Sequence, residues 1–357
     1  MKKEFNIAID GSIFIEDEYE DERIYLSNLF SSLSNPWEIT IYLPNGQNKL
    51  ENNYLSSHIK TKIFSTNIHS KFFWQHIFLP KAAIKNKHDF IICPGLHVPF
   101  WKKVKTISIF NNITDVTVKH FKRTWASYNR YIIASLKSIK DELKERYALS
   151  SSKIFVVYPS LEKEFLDAFS TTGLDQDKGE YILYVGKNDP TQRPVLAIKL
   201  LKLILQSGYK LKMLMLGIPL REKRLLEAKA QEFGVEKHII FLSQVGTKVL
   251  ATLYQKARFL LFPSLRKSFH FSLLKAMASM TPILASDVPV NREITAGHAL
   301  LLPEIIGVWQ KRIEALLSGE MDLAPLLSKA RERALIFSPE NTSRRFLEAL
   351  EELAQGG

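Results

Sequence analysis

Residues 181–217 read YILYVGKNDPTQRPVLAIKLLKLILQSGYKLKMLMLG. Tyr181 to Val185 is a short apolar run rich in β-formers and ends at Gly186. Val195 to Ser207 carries apolar residues at helical spacing, and Leu211 to Leu216 is a second apolar run, stopped by Gly217. Strand, glycine turn, helix, strand is the βα unit of a parallel sheet. The pattern continues downstream. Helices are predicted over Glu222 to Phe233, Thr247 to Ala257 and Ser272 to Ser279. Strands are predicted over Ile239 to Leu242, Phe259 to Phe262, Pro282 to Ala285 and Ala299 to Leu302.

Upstream the same alternation appears first. Phe5 to Ile9, Glu38 to Leu43, Ile59 to Phe64, Asp89 to Cys93, Val104 to Phe110 and Lys153 to Val157 read as strands. Ile24 to Leu33 reads as a helix, and Trp125 to Tyr147 as a long helix with Lys and Arg on one face. Residues 168–180 are polar and glycine-containing, as a linker is. The expected architecture is α/β: two Rossmann-like domains facing a central cleft, with ligand at the carboxyl ends of the strands. The expected bounds are 1–168, a linker at 169–180, 181–337, and a last helix at 338–357.

At 357 residues the chain exceeds one ordinary core. A single cysteine, Cys93, excludes an internal disulfide framework and suits a reducing, cytoplasmic compartment. Met1-Lys2-Lys3, the short run Phe5 to Ile9 and then Asp10 do not read as a signal peptide. No stretch nears the ~18 apolar residues of a membrane span. A net charge of +12 favours anionic partners or marks a solvated lysine-rich surface. No zinc-knuckle or RNP-like spacing supports a nucleic-acid partner. His88, His97 and His120 lack metal-ligand spacing, so no metal is expected.

One segment bears on chemistry: Phe262-Pro-Ser-Leu-Arg-Lys-Ser-Phe-His-Phe-Ser-Leu-Leu-Lys-Ala-Met-Ala278. It resembles the donor-site motif F-P-S-x-x-E-G-F-G-x-x-x-x-E-A-M-A of the retaining GT-B glycosyltransferases of family 4, the group 1 glycosyltransferases. Three further stretches resemble the same family in order: Tyr181 to Pro194, Phe233 to Leu242 and Thr281 to Leu302. Phe73-Trp74-Gln75 with Leu79-Pro80, Asp89 to Pro99, Ile154 to Phe165 and Ser338 to Thr342 resemble it more loosely.

The resemblance implies a GT-B fold, a nucleotide-sugar donor substrate and no metal or other cofactor. It implies that the helix over 338–357 crosses back to the first domain. It implies roles for Gly186, Lys187 and Arg193 on the diphosphate, with Gln192 at the family's lysine position. Ser264, Phe269 and Glu293 fall at further donor-binding positions, and Gly11 on the family's first glycine-rich loop. Lys267 and Lys275 stand at its two glutamates, whose carboxylates accept hydrogen bonds from sugar and ribose hydroxyls. An ammonium has three donors and no acceptor. Ser268 and His270 replace two glycines, and their side chains are expected to crowd a donor. Asn112 lies where the family has a His-Asp pair, and an amide does no acid–base work near neutral pH. Asn112 and Lys267 are the catalytic candidates.

Two readings stay open. One is a hexosyltransferase-type retaining enzyme with an atypical donor site. The other is an inactive relative acting as partner or chaperone of an active glycosyltransferase, or as a glycan-binding module. A second glycosyltransferase or another copy of the chain is a candidate partner. The acidic run Glu16 to Glu22 is expected as a solvated loop, or as one docked on a basic partner or on the chain's own lysines. Phe100, Trp101, Lys102, Lys103, Lys105, Lys119, Phe121, Lys122, Arg123 and Trp125 mix basic and aromatic side chains. They suit either a solvated face or peripheral contact with an anionic inner-membrane surface.

Overall fold

A computed structural model describes residues 5–16, 19–33, 38–44, 46, 60–95, 99, 103–112, 130–167, 178–242 and 245–355. The chain divides into two compact units, residues 1–160 with 339–357, and residues 161–338. The expected end of the first domain at 168 thus lies eight residues beyond the division, and most of the expected linker (169–177) lies outside the described residues. Its end is tied down: Lys178 Nζ donates to the Gln255 carbonyl at 2.7 Å, and the Gly179 N–H to Lys256 at 2.7 Å.

The first unit holds a sheet of β1 (Ile7–Asp10), β2 (Glu38–Leu43), β3 (Lys60–Ser65), β4 (Phe90–Pro94), β5 (Lys105–Phe110), β6 (Arg130–Ala134) and β7 (Ile154–Val156). Its order is β3-β2-β1-β4-β5-β6-β7, and every pair is parallel. The second unit holds β8 (Tyr181–Val185), β9 (Lys212–Leu216), β10 (Ile239–Leu242), β11 (Phe259–Phe262), β12 (Ile283–Ser286) and β13 (Leu300–Leu302). Its order, β10-β9-β8-β11-β12-β13, is again all parallel. Both are doubly wound, and each reverses strand order once, at β1/β4 and at β8/β11, where such sheets open a crevice for ligand.

The inner strands β1, β4, β8 and β11 are mostly apolar and buried, as parallel strands covered on both faces are. Ile7, Ile9, Ile39, Ile41, Ile92, Ile107 and Ile109 are fully buried in the first core, and Ile182, Leu261, Leu284 and Met215 in the second. The helix Pro339–Gln355 belongs to the first unit, where Phe346, Ala349, Leu350 and Leu353 join the core. Phe346 meets Phe30 edge-on at 5.8 Å, and Lys105 Nζ caps the last turn through the carbonyls of Leu353 and Ala354.

One expected element is overturned. The helix predicted over Trp125 to Tyr147 begins only at Lys137, and Arg130–Ala134 is a strand. Ile132 and Ile133 are β-branched and are buried between β5 and β7, so sheet pairing outweighs the helical spacing. Residues 125–129 lie outside the described residues. Helices over Leu79–Lys85, Ile306–Leu317 and Ala324–Leu335 were not foreseen. Among the described residues, no helix is long and apolar enough to cross a membrane.

Candidate functional site

In the second unit, two loops meet at the β8/β11 switch point. The Leu265 N–H donates to the Thr191 carbonyl at 2.7 Å, and Arg266 lies 3.8 Å from Asp189. In the first loop, a Cβ at Gly186 would meet Gln192 Oε1 and the Tyr184 hydroxyl, so a larger residue there would displace the Gln192 side chain. The loop folds back on itself. The Lys187 N–H donates to Gln192 Oε1 (2.7 Å), the Asn188 N–H to Glu222 Oε2 (2.9 Å), and Asp189 Oδ1 accepts from both N and Oγ1 of Thr191. Arg193 precedes the helix Pro194–Gln206 in a left-handed conformation, φ 55°, and its guanidinium pairs with Glu304 at 3.2 Å.

The second loop turns its middle inward. Ser264 is buried, and its Oγ accepts the Arg266 N–H at 3.2 Å. Ser268 and His270 are buried as well, which overturns the expectation that they crowd a ligand. The His270 ring lies 4.9 Å from Phe262, its Nε2 is 3.0 Å from the Arg266 carbonyl, and burial pushes its pKa down to about 4. Phe269 packs on Phe271 and Phe337 within the core. Lys267 is exposed.

Lys275, on the helix Phe271–Ala278, is not a bare cation. Its Nζ lies 3.2 Å from Glu162 Oε1 and 5.5 Å from the centre of the Phe165 ring. Its side chain is 17% exposed, whereas that of Glu162 is 44% exposed. A carboxylate, that of Glu162, thus stands beside position 275. Glu293 is half-buried in Pro289–Thr295, a helix tied to the rest of the unit by Arg333, which donates to the carbonyls of Glu293 and Ile294.

In the first unit, β1 ends at buried Asp10, whose Oδ1 accepts from Ser12 and from Trp74 Nε1 at 2.9 Å. Gly11 is demanded by packing: a Cβ would collide with the Tyr42 carbonyl oxygen. At the end of β5, Asn111 donates to the Asp21 carbonyl (3.1 Å) and Asn112 to Asp21 Oδ2 (3.4 Å). Glu22 is buried beside them. Burial and then Asp21 push its pKa up to about 7, opposed by the main-chain N–H groups of Glu22, Asn111 and Asn112.

The acidic run is therefore not one solvated loop. Glu20 to Glu22 form the first turn of the helix Glu20–Ser31, and Glu16 pairs with Lys71 at 2.7 Å. Residues 17 and 18 lie outside the described residues. So do His97, His120 and the basic-aromatic residues Phe100 to Lys102 and Lys119 to Trp125. His88 lies against Tyr42 and Asn6.

Sequence reasoning missed Glu22, Glu162 and Glu222. Glu22 had a signal, since it lies on the buried stripe of Tyr25, Leu26, Leu29 and Phe30, one turn before it. The other two carried none. Among the described residues, no group of three or more His, Cys, Asp or Glu is placed to hold a metal ion.

The profile of the family described as "Glycosyl transferases group 1" matches residues 169–334. The O-antigen chain mannosyltransferase RfbU of Salmonella typhimurium is 28% identical over 187 residues, 52% of this chain and 50% of that protein. A D-inositol 3-phosphate glycosyltransferase of Gordonia bronchialis is 27% identical over 228 residues, 59% of this chain and 50% of that protein. The chain thus spans about half the length of these curated relatives. Among solved structures, a glycosyltransferase from Rickettsia africae superposes with TM-score 0.77 at 14% identity, covering 99% of this chain and 100% of that one. HepE of Anabaena, solved in complex with UDP, gives TM-score 0.72 at 12% identity, covering 98% and 100%. These likenesses identify the fold as GT-B.

Proposed function

We propose, on the premise of the match between residues 169–334 and the group 1 glycosyltransferases, that the protein transfers a sugar from a nucleotide-sugar donor to an acceptor. The observation that carries this reading is the pair of loops joined at the β8/β11 switch point, bearing Lys187, Arg193 and Arg266. A doubly wound sheet takes its ligand there. Cations at that lip meet the charge of a leaving diphosphate. In the retaining scheme this diphosphate itself takes the acceptor proton, and no metal is needed.

The Lys275–Glu162 pair answers the objection raised by the missing glutamates. Glu162 carries acceptor oxygens of the kind that donor hydroxyls require, held by Lys275 and open to solvent on the other side. On this reading the donor-site carboxylate is transposed to residue 162 rather than lost. One observation favours the other reading, a non-catalytic partner protein: Asn112 has no group that exchanges a proton near neutral pH.

Calorimetry against UDP, GDP, ADP and their sugar conjugates tests the proposal. Saturable binding of one of them is expected. That binding should weaken in Lys275→Glu, which sets two carboxylates side by side, and recover in Lys275→Glu combined with Glu162→Lys. A folded protein that binds none of the panel sinks the enzyme reading and leaves the partner reading.

A further inference from the structure

The first loop of the second unit offers two successive main-chain N–H groups, those of Lys187 and Asn188, and both are already engaged by side chains. Gln192 Oε1 accepts one at 2.7 Å and Glu222 Oε2 the other at 2.9 Å. Glu222 Oε1 lies 3.7 Å from Nε of its exposed neighbour Arg221, so the contact that ties the carboxylate to the loop is the Asn188 N–H. The Glu222 side chain is 21% exposed, close enough to solvent to leave. Gly186 and Gly217 bring the β8 and β9 ends together, and Gly217, at φ 82°, lies against the Gly186 backbone. The helix Leu220–Phe233 therefore opens next to the loop, with Glu222 in its first turn.

A carboxamide oxygen and a carboxylate oxygen thus accept from neighbouring main-chain amides, the kind of donor that phosphate oxygens also take. The same matching of charge recurs across the unit: Arg193 with Glu304, Arg266 with Asp189, Lys275 with Glu162.

We propose that the diphosphate lip is closed by the chain's own acceptors, Glu222 and Gln192, and that a nucleoside diphosphate binds only by displacing Glu222. This inference rests on the nucleotide-sugar reading above and adds a regulatory contact to it. A phosphate arriving at an amide already bonded to a carboxylate gains no new donor until the carboxylate leaves, and it meets a like charge on the way. Lysine at position 192 would offer no acceptor and one more cation, whereas glutamine closes the loop.

The test is calorimetry with UDP, inorganic pyrophosphate and uridine on the wild type and on Glu222→Ala, Glu222→Gln and Gln192→Lys. Glu222→Ala is expected to bind UDP and pyrophosphate at least five-fold more tightly than the wild type. Glu222→Gln should gain less, because its amide oxygen can still accept, and Gln192→Lys should gain through its freed amide and added charge. Uridine, without phosphate, should gain nothing. Should Glu222→Ala fail to fold, the other two variants carry the comparison. Equal or weaker UDP binding in the folded Glu222 variants overturns the inference while the nucleotide reading stands, whatever Gln192→Lys does, and so does an equal gain for uridine. Absence of binding in all four proteins removes the nucleotide reading and this inference together.

Discussion

Glu22 is protonated through much of the range in which most carboxyls are ionised, and this sets a sign for stability. Its pKa is about 7 in the folded chain against 4.5 when solvated. Such a group contributes stability that is fully present below about pH 4.5 and lost as pH rises through about 7. The amount is on the order of 3 kcal/mol. Glutamine mimics the protonated form and does not titrate. Thermal melts of Glu22→Gln and wild type are therefore expected to agree near pH 5, with the variant melting higher by pH 8. Parallel curves across that range would refute the assignment. Position 275 shows how far single residues were legible. The sequence marked Lys275 as anomalous but could not supply Glu162, because the pair joins residues more than a hundred positions apart. Ser268 and His270 misled for a related reason: a residue type does not state which way its side chain turns, and these turn into the core.

Most strands were visible because a buried parallel strand is an apolar run bounded by glycine, proline or a polar turn. Tyr181–Val185, Ile239–Leu242 and Phe259–Phe262 coincide with their predicted bounds. Arg130–Ala134 was lost inside a helical pattern, since its five residues are too short to declare a period of two. The helix Pro339–Gln355 shows what an element contributes to a core distant in sequence. Phe346 is fully buried against Phe30, and cutting it to alanine leaves a cavity in that core. Phe346→Ala is expected to cost about 3–5 kcal/mol, read as a lowered urea midpoint of the first unit. The second unit, to which Phe346 does not belong, should keep its own midpoint.

Each unit has its own sheet and core, so calorimetry of the whole chain is expected to resolve two transitions. Ending the chain at Ser338 removes Phe346, Ala349, Leu350 and Leu353 from the first core and nothing from the second. The first unit's transition should then vanish or fall sharply while the second unit's persists; loss of both would show that the two do not unfold separately. The fold at this scale followed from repeated βα units, but the division at 160/161 did not, because composition changes only further along, near 168. The second unit is continuous in the chain, and its two ends meet: the Leu161 N–H donates to the Phe337 carbonyl at 2.8 Å. It is an insert within the first. The first unit's strands are made before the helix Pro339–Gln355 that adds to their core, whereas residues 161–338 carry a core of their own. On the ribosome the inner unit is therefore expected to close first, against the usual N-to-C order of domain folding.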